Sequence, residues 1–91
     1  MTRIERLHAT LTQAFAPEVL EIEDESHLHA GHAGAATGRG HFRVRIVSAT
    51  FRGQSAVARH RAVYAAMGAL MQSDIHALSI RALTPDEKEP V

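Results

Sequence analysis

Residues 41–48, HFRVRIVS, alternate strictly: Phe42, Val44 and Ile46 fall on one side and Arg43 and Arg45 on the other. That period of two marks a strand with one dry face and one wet face. Such a strand must bury its apolar side under a second layer, so the rest of the chain has to supply helices for one face of a sheet and leave the other face to solvent.

The flanking sequence meets that demand. Ile4, Leu7, Leu11 and Phe15 recur at helical spacing over residues 2–16, and Pro17 stops the pattern. Residues 19–24 alternate again, with Leu20 and Ile22 opposite Glu21 and Glu23. After a turn-like stretch at 49–53, Ser55 is placed to cap a long helix running to about Gln72, with Val57, Tyr64, Met67, Leu70 and Met71 as its apolar stripe and Gly68 weakening it slightly. Residues 76–83 form a third strand, Leu78 and Ile80 inward, Ser79 and Arg81 outward. Thr84-Pro85-Asp86-Glu87 then combines a capping box with proline at the first helical position, which predicts a short terminal helix. The expected fold class is α+β, in the order αββαβα: one domain over residues 1–91, a three-stranded sheet with helices on one face. The open face carries Glu21, Glu23, Arg43, Arg45 and Arg81, read first as a solvated surface whose charges pair across strands.

Ninety-one residues suit a single domain of modest core. No cysteine is present, so disulfides, thiolate metal sites and cysteine nucleophiles are excluded within this chain, and any thiolate must come from a partner. No stretch approaches the roughly 18–20 apolar residues that span a bilayer, and no apolar h-region opens the chain; the expected location is cytoplasmic. An amphipathic transit peptide is the weaker alternative, opposed by Glu5 and the lack of a serine-rich acid-poor run. Formal net charge is zero, yet residues 26–73 contain no acid while Arg39, Arg43, Arg45, Arg52, Arg59 and Arg61 all lie there. Either these arginines pair with the acids at the two ends of the chain, or they form a patch for an anionic partner.

The connection between the first two strands, 25–40, is about three times an ordinary hairpin loop, a length usual for functional or disordered loops. It carries His27, His29 and His32. Strand direction brings His76 to the same place. A helical crossover makes the second and third strands parallel, and the loop makes the first antiparallel to the second, so His76, His41 and the loop share one end of the sheet. Side-chain parity places His76 with Leu78 and Ile80 on the helix-covered face and His41 with Arg43 and Arg45, which favours pairing His76 with a loop histidine rather than with His41. Taken singly, His8, His27 and His41 read as solvated side chains and His60 as a packing or hydrogen-bonding group.

H-x-H-x-x-H plus a remote fourth histidine suits zinc, copper or iron. A closed structural zinc site needs four rigid ligands, which a loop rich in Gly and Ala does not preorganise. An incomplete site finished by a partner's thiolates fits better, as in a [2Fe–2S] cluster with imidazoles on one iron. Imidazole must be neutral to ligate, so complex formation should weaken as pH falls toward about 6. Enzymatic signatures are missing: no Ser-His-acid order, no phosphate-binding glycine loop and no paired carboxylates in a pocket pattern, so the chain is expected not to be an enzyme.

Four separated pieces, EVLEIEDESHLHAGH, HFRVRIVS, the F-x-G of Phe51 and Gly53 followed by RHRAVYAAM, and IHALSIRALTP, stand in the order found in BolA-like proteins, which this chain resembles over residues 3–87. The resemblance implies an αββααβ-type fold similar to class II KH domains. It also implies a monothiol glutaredoxin partner and a shared [2Fe–2S] cluster ligated by the glutaredoxin cysteine, a glutathione thiol and histidines of this chain; no cluster is expected in the isolated chain. Carried over by motif, the I-H-A-L histidine is His76 and the loop ligand is His29, with His27 and His32 as substitutes. One departure is Arg39-Gly40, where the family commonly shows an acidic or hydroxyl pair. The competing function is nucleic-acid binding and transcriptional regulation, with Arg59, Arg61 and Arg52 as contacts. Its support is weak: Gly31-His32-Ala33-Gly34 has the GxxG pattern but lies between strands, Gly53-Gln54-Ser55-Ala56 lacks the second glycine, and few aromatics are available for stacking.

Overall fold

The computed structural model describes residues 1–26 and 40–87. Helix α1 (Arg3–Phe15) starts from a reciprocal cap: the Thr2 hydroxyl accepts the Glu5 N–H at 3.1 Å and the Glu5 carboxylate accepts the Thr2 N–H at 2.8 Å. Ala16 adopts the left-handed conformation, φ 43°, and ends the helix just before Pro17. Leu7, Leu11 and Phe15 are buried, as their spacing predicts.

Strands β1 (Val19–Asp24), β2 (Gly40–Val47) and β3 (Ile75–Leu83) form one sheet in the order β1-β2-β3, β1 antiparallel and β3 parallel to the central β2. The central strand is the most deeply covered, with Val44, Ile46 and Val47 wholly inaccessible and Phe42 nearly so. Leu20, Ile22, Leu78 and Ile80 pack against that core from the edge strands. On the open face one expected cross-strand pair forms, Arg45 donating to Glu21 at 3.2 Å, while Arg43 lies 3.4 Å from Glu25, just past the end of β1.

A 3-10 turn, Ala49–Phe51, leaves β2. The Ser48 hydroxyl donates to the Phe15 carbonyl at 2.6 Å and accepts the Thr50 N–H at 3.1 Å, which ties this turn to the end of α1. Phe51 is fully buried, its ring 5.0 Å from that of Phe15. Helix α2 (Ala56–Met67) begins at Ser55, whose hydroxyl accepts the Ala58 N–H as predicted.

The single helix expected to Gln72 is instead two. At Gly68, φ 50° and ψ −123°, the chain takes a conformation open to glycine, and a short helix α3 (Leu70–Ser73) follows. The apolar stripe also has a different phase. Val63 and Met67 are buried with Ala62 and Ala66 beside them, whereas Val57 and Tyr64 are exposed. An alanine-rich helix has no sharply apolar side, so its sequence leaves the phase open.

The Thr84 signal forms one 3-10 turn, Pro85–Glu87, with the Glu87 carboxylate accepting the Thr84 N–H at 3.0 Å. Arg59 clasps it, donating to the Glu87 carboxylate (3.1 Å from Nη2), to the Ala82 carbonyl at 3.0 Å and to the Gln54 carbonyl at 3.0 Å. The Arg59 guanidinium, with the Thr84 N–H behind it, pulls the Glu87 carboxyl from its ordinary 4.5 down to about 2. Among the described residues no helix is long and apolar enough to cross a membrane.

Candidate functional site at the open end of the sheet

Three strand ends meet where the sequence places them, and backbone bonds sew them together. The Glu25 N–H donates to the His41 carbonyl at 2.7 Å, the His41 N–H to the Ser26 hydroxyl oxygen at 3.1 Å, and the Gly40 N–H to the Asp74 carbonyl at 2.9 Å. Ser26 is itself folded onto Asp24, whose carboxylate accepts both its N–H, at 2.9 Å, and its hydroxyl. Residues 25–26 and 40–41, the described ends of the histidine-rich connection, are thus fixed side by side. His27, His29 and His32 lie outside the described residues.

The parity argument for His76 does not hold. Gly40 pairs with Ile75 but His41 pairs with Ala77, so β3 carries one extra residue at this point, and that residue is His76. A bulge of this kind breaks the two-residue alternation. Ile75 points into the core and is fully buried, Leu78 and Ile80 resume the covered face, and His76 is exposed. Its ring centre lies 5.0 Å from that of the half-buried His41, the planes tilted by 53°. His76 thus stands beside His41, against the parity expectation, while the expected pairing with a loop histidine lies outside the described residues.

Asp74, immediately before the bulge, is a residue the sequence reading missed. Its carboxylate is held by the Arg6 guanidinium through two bonds, Nε to Oδ2 at 3.1 Å and Nη2 to Oδ1 at 2.9 Å, with Arg3 Nε at 3.4 Å. The Arg6 hydrogen bonds hold the Asp74 carboxyl below its usual range against the opposing effect of burial. The available signal was charge order: Asp74 is the first acid after the acid-free run and directly precedes Ile75-His76.

Chemically, this end offers two neighbouring imidazoles from different strands and no thiolate. Among the described residues no group of three or more metal-ligating side chains is assembled. That donor set suits part of a coordination shell to be completed from outside. A shallow depression does cross the open sheet face, between Glu21, Arg43, Arg45, Ser79 and Arg81. It includes the Arg45–Glu21 pair, and no histidine lines it. Of the three arginines considered for nucleic acid, Arg59 is committed to Glu87, Arg52 lies 3.7 Å from Asp86, and Arg61 is exposed on α2.

Comparison with known proteins agrees with this fold. The family model described as BolA-like protein matches residues 11–87. BolA-like protein 1 of Mus musculus is 47% identical over 79 residues, covering 87% of this chain and 56% of that protein, so this chain spans about half its length. A protein of Haemophilus influenzae named DNA-binding transcriptional regulator BolA is 38% identical, covering 85% of this chain and 72% of the relative. The solved BolA domain of SufE1 from Arabidopsis thaliana superposes with a TM-score of 0.85 at 42% identity, covering 97% of this chain and 98% of that one. The chain belongs to the BolA-like protein family.

Proposed function

We propose that this chain is a non-enzymatic adaptor that binds a monothiol glutaredoxin and supplies histidine ligands to a [2Fe–2S] cluster shared between the two, in iron–sulfur cluster trafficking or iron-dependent regulation. The observation that carries the proposal is the position of His76: an exposed imidazole on a bulge, beside His41, at the mouth of a connection holding three more histidines. A chain without cysteine can furnish only the imidazole side of such a shell, so the thiolates fall to the glutaredoxin cysteine and to glutathione bound by that partner. The bound cluster would supply redox and iron-transfer chemistry. His76 is the fixed ligand and His29 the loop ligand, with His27 and His32 as substitutes. The mixed shell makes the adaptor dependent on its partner.

The test mixes the chain with cluster-loaded, glutathione-bound glutaredoxin and records visible absorption and circular dichroism alongside sizing. A changed spectrum in a one-to-one complex is expected, abolished by His76→Ala and altered more by His29→Ala than by His27→Ala. An unchanged spectrum with no heterodimer overturns the reading.

The regulator name of the Haemophilus influenzae relative favours one second reading, binding of DNA through the arginines of α2 and its preceding turn, Arg52, Arg59 and Arg61. Duplex binding that survives His76→Ala and is lost on charge removal at Arg61 is the outcome that supports it.

A further inference from the structure

His76 is a one-residue arch, and an arch is placed by its feet. The far foot is Ala77, in register with His41, followed by Leu78, whose carbonyl accepts the Tyr64 hydroxyl at 3.2 Å. The near foot is Ile75, fully buried and in register with Gly40, and it is held from behind by Asp74, every polar group of which is engaged. The Asp74 N–H donates to the Leu70 carbonyl at 2.9 Å and closes α3; its carbonyl accepts the Gly40 N–H at 2.9 Å; its two carboxylate oxygens take the fork of Arg6. Arg6 stands near the start of α1, so one side chain joins the first helix, the third helix and the first bond between β2 and β3.

We propose that Asp74, held by Arg6, is a positioning residue that sets where the His76 imidazole stands relative to His41. The geometry suits the task. A bidentate guanidinium–carboxylate pair fixes distance and angle together, which a single ammonium contact does not. The carboxylate side of the pair is only 10% exposed, so it is screened far less than the open pairs elsewhere on the surface. For its consequence in a complex, the proposal rests on the adaptor reading given above; for the imidazole geometry it does not.

The experiment reads the two imidazoles in the isolated chain by NMR, in wild type, Asp74→Asn, Arg6→Lys and, as control, Glu87→Gln, which loosens the ion pair at the other end of β3. Ligand sites tolerate displacements of only about 0.5 Å, and a shift of the ring centres by about 1 Å would cut the His41–His76 cross-relaxation, which falls as the sixth power of distance, to about one third. That loss, with altered His76 ring nitrogen shifts, is expected in Asp74→Asn and Arg6→Lys, while Val44–Ile80 contacts persist and Glu87→Gln matches wild type. Unchanged imidazole signals in Arg6→Lys and in any folded Asp74→Asn, or equal losses in Glu87→Gln, overturn the proposal. If Asp74→Asn does not fold, Arg6→Lys decides. A parallel titration with cluster-loaded glutaredoxin separates the two ideas. Failure of wild type to form any complex removes the adaptor reading and leaves the NMR result to judge the clamp.

Discussion

Gly40 shows how much one missing methyl group can decide. A Cβ there would lie 2.7 and 2.8 Å from the Phe42 ring and 2.9 Å from the Ser26 hydroxyl oxygen, closer than real Cβ contacts come. The glycine therefore has a reason that sequence reading, which saw only a departure from the family pattern, could not give. The Phe42 ring lies across it in the core, and the Ser26 hydroxyl beside it receives the His41 N–H. Gly40→Ala should destabilise the fold by about 1–3 kcal/mol in urea titration, the usual cost of overpacking a tight site. Because the neighbour that must yield is Ser26 or Phe42, the substitution should also broaden the His41 amide resonance. A stability equal to wild type would mean that the site has room the structure does not show. Phe51, wholly buried against Phe15, provides the opposite case. Phe51→Ala should cost about 3–5 kcal/mol by emptying the core without touching the histidine end.

Among the elements, the periodic ones were legible and the interruptions were not. Leu7, Leu11 and Phe15 announce α1 because a 3.6-residue repeat repeats its evidence every turn, and Phe42, Val44 and Ile46 announce β2 in the same way. The bulge at His76 and the break at Gly68 are single-residue events with no period behind them. The bulge follows from which residue of β3 bonds Gly40, a tertiary fact invisible along the chain. The last strand is held at both ends by ion pairs, and the one at its C-terminal end has a distinct pH signature. The Glu87 value is lowered on folding from 4.5 to about 2, so the Arg59–Glu87 pair contributes stability that is fully present above the ordinary value and is lost as pH falls through that window. Thermal unfolding should therefore find Glu87→Gln less stable than wild type at neutral pH, with the gap closing between about 4.5 and about 2. A gap that stayed constant across this range would show that the clasp stabilises through contact rather than charge. The lowered carboxyl of Asp74 acts in the same direction at the other end.

Across the whole molecule, the charge division along the chain is largely undone by folding. The acid-free middle meets the acidic ends in space: Arg45 with Glu21, Arg43 with Glu25, Arg52 with Asp86 and Arg59 with Glu87. The cationic patch suggested by linear order is therefore mostly a set of cross-chain pairs, each exposed pair contributing little to stability but cancelling field at the surface. That arrangement makes a quantitative prediction for nucleic acid. Each phosphate neutralised contributes about −0.9 to the slope of log K against log salt, so six unpaired arginines would give about −5, whereas a surface on which Arg61 is the main open cation among the described arginines of residues 26–73 should give about −1 to −2 and dissociation constants no tighter than about 10⁻⁴ to 10⁻⁶ M. Duplex titrations over a salt series measure this directly. A slope near −5 with tighter binding would mean that DNA takes the arginines from their carboxylates, and the regulator reading would then displace the adaptor. A shallow slope with weak binding counts against the regulator reading, because the arginines then stay with their carboxylates.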